Sequence, residues 1–84
     1  MLGLYLKNYR KKHRIFAISV AAFLGITKGY YSQIEHNKSV PMETYLIQRI
    51  MELVKNDIFI YNQIKDFYIA KKKEEFEEFK KLFD

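Results

Sequence analysis

The stretch AISVAAFLGITKGYYSQIEH, residues 17–36, decides the fold of this chain. Its apolar residues recur at the spacing of two short helices whose inner faces meet. Ala21 is small where the two helices would cross, and Gly25 lies four residues later, where the chain must turn. The stretch therefore predicts two short helices at a steep angle across a tight turn. The residues expected to point inward are Val20, Leu24, Ile26, Tyr31 and Ile34.

The ends of both helices carry stop and start signals. Gly25 can take the left-handed conformation that ends a helix, so the first helix is predicted over 17–24. Thr27 can accept hydrogen bonds from the backbone amides of the next turn, so the second helix is predicted over 28–36. Asn37 tolerates a positive φ and can end that helix.

The 3.6-residue period of apolar side chains continues on both sides and predicts further helices over 2–13, 42–55 and 58–83. No alternating strand pattern is present. The prediction is an all-α protein, a compact helix-turn-helix bundle of four to five helices with a long C-terminal helix. Residues 1–56 form the predicted helix-turn-helix domain, and residues 57–84 form a C-terminal extension made of one helix or two.

All of the positive charge excess lies in the N-terminal half of the chain, whose net charge is +5. Residues 1–41 contain seven Lys and Arg residues and one acid, Glu35, whereas residues 42–84 contain eight basic and nine acidic residues. Since a solvated surface usually mixes the two signs, this asymmetry favours a polyanionic partner, such as nucleic acid or an anionic membrane.

Several classes of function have no support in the sequence. The 84 residues include no cysteine, which excludes a disulfide, a thiolate metal site and a catalytic thiol. His13 and His36 have no companion at metal-ligand spacing, and no serine has an adjacent base and acid. No apolar run is long enough to span a membrane, and no cleavage site follows the N-terminal segment. We expect a cytoplasmic protein that is not an enzyme and that holds no metal or cofactor.

The chain resembles the Xre-type helix-turn-helix regulators, which include many phage repressors, from about Leu4 to Val54. The segments that carry the resemblance are LKNYRKKHRI (6–15), VAAFLGITKGYYSQIEHNKSVP (20–41) and METYLIQRIMELV (42–54). The resemblance implies a bundle of four to five helices whose third helix enters the major groove of double-stranded DNA. The function it implies is a sequence-specific transcriptional regulator, a small repressor that binds a two-fold symmetric operator as a homodimer.

Within this resemblance, the early residues and outer flank of helix 28–36 would read base edges, because a helix in the major groove presents them there. These residues are Lys28, Gly29, Tyr30, Ser32 and Gln33. A second group would contact the DNA backbone, which fixes position without reading sequence. This group consists of Arg10, Arg14, Thr27, Asn37 and Lys38.

Three further side chains near the reading helix receive structural predictions. An acid facing phosphates would repel them, so Glu35 is expected to pair with Arg10 or Arg14. Tyr30 is expected on the surface. Tyr31 is expected in the core, with its hydroxyl finding a partner at the rim.

The second helix departs from the family pattern at Phe16, Ile18 and Phe23, where polar or charged residues are usual. These three side chains would form an exposed apolar patch, and such patches often mark a protein interface. The alternative function is therefore a protein-binding helix-turn-helix module, for example a mobile-element antagonist of a host regulator or nuclease. The patch would be covered instead if the junction of helices one and two is rearranged, or if the C-terminal helix lies over it.

The C-terminal helix carries an apolar stripe of its own at spacings of seven, three and four residues, namely Ile69, Phe76, Phe79 and Phe83. This spacing suits a short helix–helix seam, so the extension is predicted to form the dimer interface. The open alternative is that the tail folds back over the bundle, onto Phe16 and Phe23.

Overall fold

Five helices form the fold in a computed structural model of the chain, which describes the backbone of residues 1–81 and the side chains of residues 1–73. The helices are α1 (Leu2–Lys12), α2 (Ala17–Leu24), α3 (Lys28–Glu35), α4 (Thr44–Val54) and α5 (Ile58–Lys81). The described residues contain no strand, so the predicted all-α class is confirmed. For the first four helices, the predicted and observed ends agree to within two residues.

The principal helix contacts form a closed ring in the order α1, α3, α2, α4, α5 and back to α1. The ring encloses one apolar core, to which every helix contributes. Of the five residues predicted to point inward from the 17–36 stretch, four are buried and Ile26 is partly buried. The buried core consists of Leu2, Leu6, Tyr9, Val20, Ala21, Leu24, Tyr31, Ile34, Ile50, Val54, Ile60, Ile64 and Tyr68.

The turn between α2 and α3 has the geometry that the sequence predicts. Gly25 ends α2 in the left-handed region with a φ of 73°. The Ile26 backbone N–H donates to the carbonyl oxygen of Ala21 at 3.0 Å. Thr27 opens α3, and its Oγ1 accepts a hydrogen bond from the Tyr30 backbone N–H at 3.1 Å. Both predicted caps are confirmed, and α3 is fixed relative to α2 by a three-residue turn.

Helix α4 holds this turn from outside through Arg49. The guanidinium of Arg49 donates to the carbonyl oxygen of Leu24 at 3.0 Å, which satisfies an otherwise unpaired group at the end of α2. Arg49 also lies over the Tyr45 ring, 5.6 Å from the ring centre. A Cβ at Gly25 would displace the same guanidinium, which is the flexible end of the Arg49 side chain, so this position requires glycine chiefly for its positive φ.

Asp57 joins the end of α1 to the start of α5. It is only 6% exposed, and its Oδ2 lies 2.8 Å from Lys12 Nζ and 2.9 Å from His13 Nε2. Its Oδ1 accepts a hydrogen bond from the Ile60 backbone N–H at 3.3 Å, which caps α5. The hydrogen bonds from Lys12 and His13 hold the pKa of the Asp57 carboxyl well below its usual range, against the opposing effect of burial. Asp57 therefore stays ionised and keeps the two helix ends together.

Helix α5 is a single helix from Ile58 to Lys81, so most of the C-terminal extension is one helix rather than two. Its buried residues Ile60, Ile64 and Tyr68 pack against the bundle. The Tyr68 hydroxyl donates to the carbonyl oxygen of Pro41 at 2.8 Å, which ties α5 to the segment before α4. No helix in the described part of the chain is both long and apolar enough to cross a membrane.

The uninterrupted course of α5 bears on the two expectations for the tail. Because residues 58–81 continue in one helix, this part of the tail does not fold back over Phe16 and Phe23. The predicted seam residues Phe76, Phe79 and Phe83 lie outside the described side chains, so a dimer interface at those positions stays a prediction.

Helices α1 and α3 approach so closely at Gly3 that no side chain fits between them. A Cβ at Gly3 would overlap the backbone carbonyl oxygens of Ile34 and Glu35. The Gly3 backbone N–H also donates to Asn37 Oδ1 at 3.0 Å. Close backbone approach, rather than an unusual φ, therefore requires glycine at this position.

We expect Gly3→Ala to lower the free energy of unfolding by about 1–3 kcal/mol, the usual cost of forcing an extra group into a packed contact. Urea unfolding followed by circular dichroism measures this change. Gly29→Ala is the matched control, because no atom lies within 4 Å of a Cβ at Gly29. Alanine there should be neutral or stabilising by up to about 1 kcal/mol. A Gly3→Ala protein as stable as the wild type would contradict the close packing of α1 on α3.

Candidate nucleic-acid interface

Helix α3 has one buried face and one open face. Tyr31 and Ile34 are each 1% exposed and hold the helix in the core. Four of the five predicted base-reading residues are exposed on the other side of the helix, namely Lys28, Gly29, Ser32 and Gln33. The bundle thus presents a short helix whose first turns are accessible to a partner.

The open face of α3 offers both free backbone and free hydrogen-bonding groups. No atom lies within 4 Å of a Cβ at Gly29, so a partner can approach the backbone of the first turn closely. The Gln33 Oε1 accepts a hydrogen bond from the Ser39 hydroxyl at 3.4 Å. The Gln33 amide nitrogen makes no hydrogen bond to any described residue and can donate to a partner.

Tyr30 is the base-reading candidate whose position differs from the expectation. Its side chain is partly buried rather than on the free surface, and it packs toward the start of α4 beside Glu43 and Tyr45. Burial raises the pKa of the Tyr30 hydroxyl, and the nearby Glu43 carboxylate raises it further. Tyr30 is therefore chiefly a packing residue, and its contact with DNA stays a prediction.

Glu35 and Arg10 form an ion pair that joins α3 to α1. Arg10 Nη2 lies 2.7 Å from Glu35 Oε1, and Arg10 Nε donates to Glu35 Oε2 at 3.3 Å. A third hydrogen bond from Arg10 reaches the Ile15 carbonyl oxygen at 3.4 Å. Burial opposes ionisation of Glu35, but its polar and positively charged surroundings, chiefly the hydrogen bonds from Arg10, outweigh this effect, so the pKa of Glu35 is lowered. Of the two cations considered for Glu35, the partner is Arg10, whose side chain is 22% exposed and is held against α3. Its contact with the DNA backbone stays a prediction.

The hydroxyl of Tyr31 lies buried close to this ion pair. It has no hydrogen-bond partner among the described residues, so the expectation that it finds one at the rim is wrong. Burial raises the pKa of the Tyr31 hydroxyl, and the negative charge of Glu35 raises it further. The expectation that the Tyr31 ring belongs to the core is confirmed.

Two of the residues predicted to contact the DNA backbone make structural hydrogen bonds within the bundle. Asn37 follows α3 with a positive φ of 59°, and its Oδ1 accepts hydrogen bonds from the backbone nitrogens of Met1 and Gly3, each at 3.0 Å. Thr27 uses its Oγ1 to cap α3. Both residues therefore hold α3 in place, and their contacts with DNA stay predictions.

Arg14 and Lys38 flank the open face of α3 in sequence, and both side chains are exposed. Arg14 lies just after α1 in the left-handed region, with a φ of 55°. Neither residue forms an ion pair with a described residue. Their charges remain available to an anionic partner.

A small cavity of about 190 Å³ opens beside the start of α2, between α1 and α3. Its lining consists of Arg10, Ala17, Lys28, Tyr31, Ser32, Glu35 and His36. Helix α2 has no side-chain cap, so its first backbone N–H groups remain unpaired, and the N-terminus of a helix favours an anion. Since Arg10 pairs with Glu35 in the same lining, Lys28, His36 and these amide groups are the donors left for one phosphate group.

His36 directly follows α3 and is exposed. In the structure its Nδ1 lies 2.8 Å from the Ser32 carbonyl oxygen, which holds the imidazole against the end of α3. The i,i+4 spacing from Ser32 is the signal that indicates this contact.

The predicted apolar patch on α2 is exposed among the described residues. Phe16, Ile18 and Phe23 are 78%, 60% and 50% exposed. Helix α2 carries no charged residue, and Ser19 is its one polar residue, so its solvent-facing side is largely apolar. Neither of the two expected coverings, a rearranged junction or the C-terminal helix, shields these side chains in the described part of the chain.

Among the described residues, no group of three His, Cys, Asp or Glu side chains is placed to hold a metal ion. Comparison of the chain with protein-family models, with curated proteins and with solved structures gives no match.

The ion pair between Arg10 and Glu35 makes stability depend on pH. The pKa of Glu35 is lower in the folded than in the unfolded chain, so the pair stabilises the fold fully above the ordinary pKa of a glutamate and is lost as the pH falls through the folded pKa. We expect Glu35→Gln to lower the free energy of unfolding at pH 7 by roughly 1–3 kcal/mol. The difference from the wild type should shrink below about pH 4.

Denaturant unfolding at a series of pH values measures this difference. Glu52→Gln is the matched control, because Glu52 pairs with Lys55 at an exposed site and such pairs contribute at most about 1 kcal/mol. A loss for Glu35→Gln that is no larger than that of the control, or that does not change with pH, would contradict the role of this pair.

Proposed function

We propose that this protein is a sequence-specific DNA-binding regulator that reads the major groove with α3. The observation that carries the proposal is the open face of α3, where Lys28, Ser32 and Gln33 are exposed together on a helix anchored by buried Tyr31 and Ile34. An α-helix fits the major groove of B-DNA, where base edges present distinct patterns of donors and acceptors. A short helix with a fixed inner face and a polar outer face suits that role.

The side chains on this face match the chemistry of base edges. Gln33 has both a donor and an acceptor in its amide group, which suits adenine N6 and N7. Lys28 suits guanine O6 and N7, or a phosphate, and the Ser32 hydroxyl can contact several base types. Gly29 adds no side chain to the first turn, so the backbone of α3 can lie close to the groove.

The charges around α3 favour the DNA backbone. Glu35 is the only acid in residues 1–41, and Arg10 neutralises it within the bundle. The cavity beside α2 is suited to one backbone phosphate, with Lys28, His36 and the unpaired amide groups of α2 as donors. Exposed Arg14 and Lys38 would add contacts that carry affinity without reading sequence.

The proposed regulator is a cytoplasmic repressor that binds a two-fold symmetric operator as a dimer. Two copies related by a two-fold axis can place their α3 helices in successive major grooves, about one turn of DNA apart. The resemblance to Xre-type regulators described above supports the same function.

A second function has one observation in its favour, the exposed apolar face of α2. Phe16, Ile18 and Phe23 lie open on a helix without a single charge. Such a surface suits a protein partner better than it suits DNA, since phosphates and base edges are polar. The alternative is a protein-binding module that uses the same bundle as a scaffold, for example as an antagonist of a host regulator or nuclease.

One experiment separates the two functions. The full chain is incubated with a pool of randomised DNA duplexes at several salt concentrations, and the retained DNA is sequenced. Enrichment of a two-fold motif, together with a steep fall of affinity with salt, would support the regulator. Weak binding without enrichment would contradict it and favour the protein-binding module.

We expect Gln33→Ala to relax the sequence preference at one base step by about 1–3 kcal/mol, because one pair of hydrogen bonds to a base edge is lost. The measurement is the same selection, followed by titration of the enriched site and its single-base variants. Gln48→Ala is the control, because Gln48 is an exposed glutamine that belongs to α4 rather than to α3. Identical preferences for all three proteins would remove Gln33 from the reading surface.

We expect Lys38→Ala to lower affinity for all sequences equally and to reduce the slope of log affinity against log salt by about one, because one phosphate contact is lost. Titration of the enriched and a scrambled duplex across the salt series measures both effects. An unchanged slope would mean that Lys38 does not contact a phosphate.

A further inference from the structure

An apolar groove runs between α4 and α5, with a volume of about 270 Å³. Its walls include Ile47 and Met51 of α4 and Tyr61 and Ile69 of α5. Two lysines of α5, Lys65 and Lys72, also line it, and no acidic residue does. The groove therefore combines an apolar floor with a positive edge.

The apolar face of α5 changes direction along the helix. Up to Tyr68 the apolar positions 60, 64 and 68 point into the bundle and are buried. Continuing that row by three or four residues leads to two charged positions, Lys71 and Lys72. A new apolar row begins at Ile69, which is 57% exposed, and continues in the sequence at positions 76 and 83. Ile69, the first residue of this second row, is therefore not buried by the bundle of its own chain.

The sequence that follows Lys73 carries the acidic side chains that the groove lacks. Residues 74–79 read EEFEEF, with four glutamates, two phenylalanines and no base. This segment complements a groove that is apolar and carries two lysines. Because α5 continues as one helix to Lys81, the segment cannot turn back into the groove of its own chain. The same segment of a second copy has no such restriction.

We propose that the groove between α4 and α5 binds residues 74–81 of a second copy of this chain, with the two α5 helices antiparallel. In this arrangement each copy gives one acidic and aromatic segment and receives one, so the interface is two-fold symmetric and closes as a dimer. The phenylalanines fill the apolar groove, while the glutamates lie near Lys65 and Lys72. The lysine stems can cover apolar surface while their ammonium groups reach the acids.

The proposal deepens the proposed function, because binding to a two-fold operator requires two copies and this groove states how they join. The proposal rests on that function only for the biological role of the dimer. The interface itself is measured in the absence of DNA.

The first test is the oligomeric state of the full chain by sedimentation equilibrium without DNA. The wild type is expected to be a dimer, and Ile69→Asp should raise the dimer dissociation constant about tenfold or more. Ile58→Asp is the matched control, because Ile58 is also an exposed isoleucine of α5, at 69%, but does not line the groove. Circular dichroism verifies that each variant is folded. A monomeric wild type, or equal effects of the two variants, would overturn the proposal.

The second test exchanges the charges. Lys65→Glu with Lys72→Glu makes the groove acidic, and replacing Glu74, Glu75, Glu77 and Glu78 by lysine makes the segment basic. Each variant alone should dissociate, since groove and segment then carry the same sign. An equimolar mixture of the two should form a heterodimer, because each groove again meets a segment of opposite sign. A mixture that stays monomeric would overturn the proposal.

These results are distinguishable from a failure of the proposed function. A dimer with the expected response to Ile69→Asp but without enrichment of any DNA sequence would contradict the regulator and support the interface. A monomer that enriches a single half-site would support DNA reading and contradict the interface.

Discussion

The ion pair between Arg10 and Glu35 fixes α3 on the bundle. It joins α3 to α1 on the side where Gly3 lets the two backbones touch, so α3 can neither rotate nor move outward without breaking it. The pair also removes a charge conflict. Glu35 is the only acid in the N-terminal half, and its neutralisation by Arg10 leaves the surrounding surface positive. One interaction thus sets both the orientation of α3 and the sign of the field around it.

The parts of the fold that the sequence could predict are those built from local contacts. Gly25 and Thr27 were identifiable because the cap of a helix involves residues within one turn, and both have the predicted geometry. The apolar period placed Tyr31 and Ile34 in the core for the same reason. The open face of α3 then follows by difference, since the residues that do not face the core must face outward.

The remaining features depend on contacts between distant parts of the chain, which no local pattern contains. Arg49 donates a hydrogen bond to the carbonyl oxygen of Leu24. Because every residue has a backbone carbonyl group, no sequence pattern identifies this acceptor. The side-chain oxygen of Asn37 accepts hydrogen bonds from the backbone nitrogens of Met1 and Gly3, a contact that no local pattern indicates. The expectation that the Tyr31 hydroxyl finds a partner was wrong, because the depth at which a side chain is buried depends on how other helices pack over it. Long-range polar contacts are therefore the features that the structure shows and that the sequence could not predict.

The contacts of α1 also set the order in which this chain can fold during synthesis. Helix α1 leaves the ribosome first, yet Glu35 follows Arg10 by 25 residues and Asp57 follows Lys12 by 45. The turn between α2 and α3 uses only near neighbours, so it can form early. The bundle can close only after Asp57 has emerged. Until then the part of α1 that α5 covers stays exposed on the nascent chain, where a chaperone can bind it.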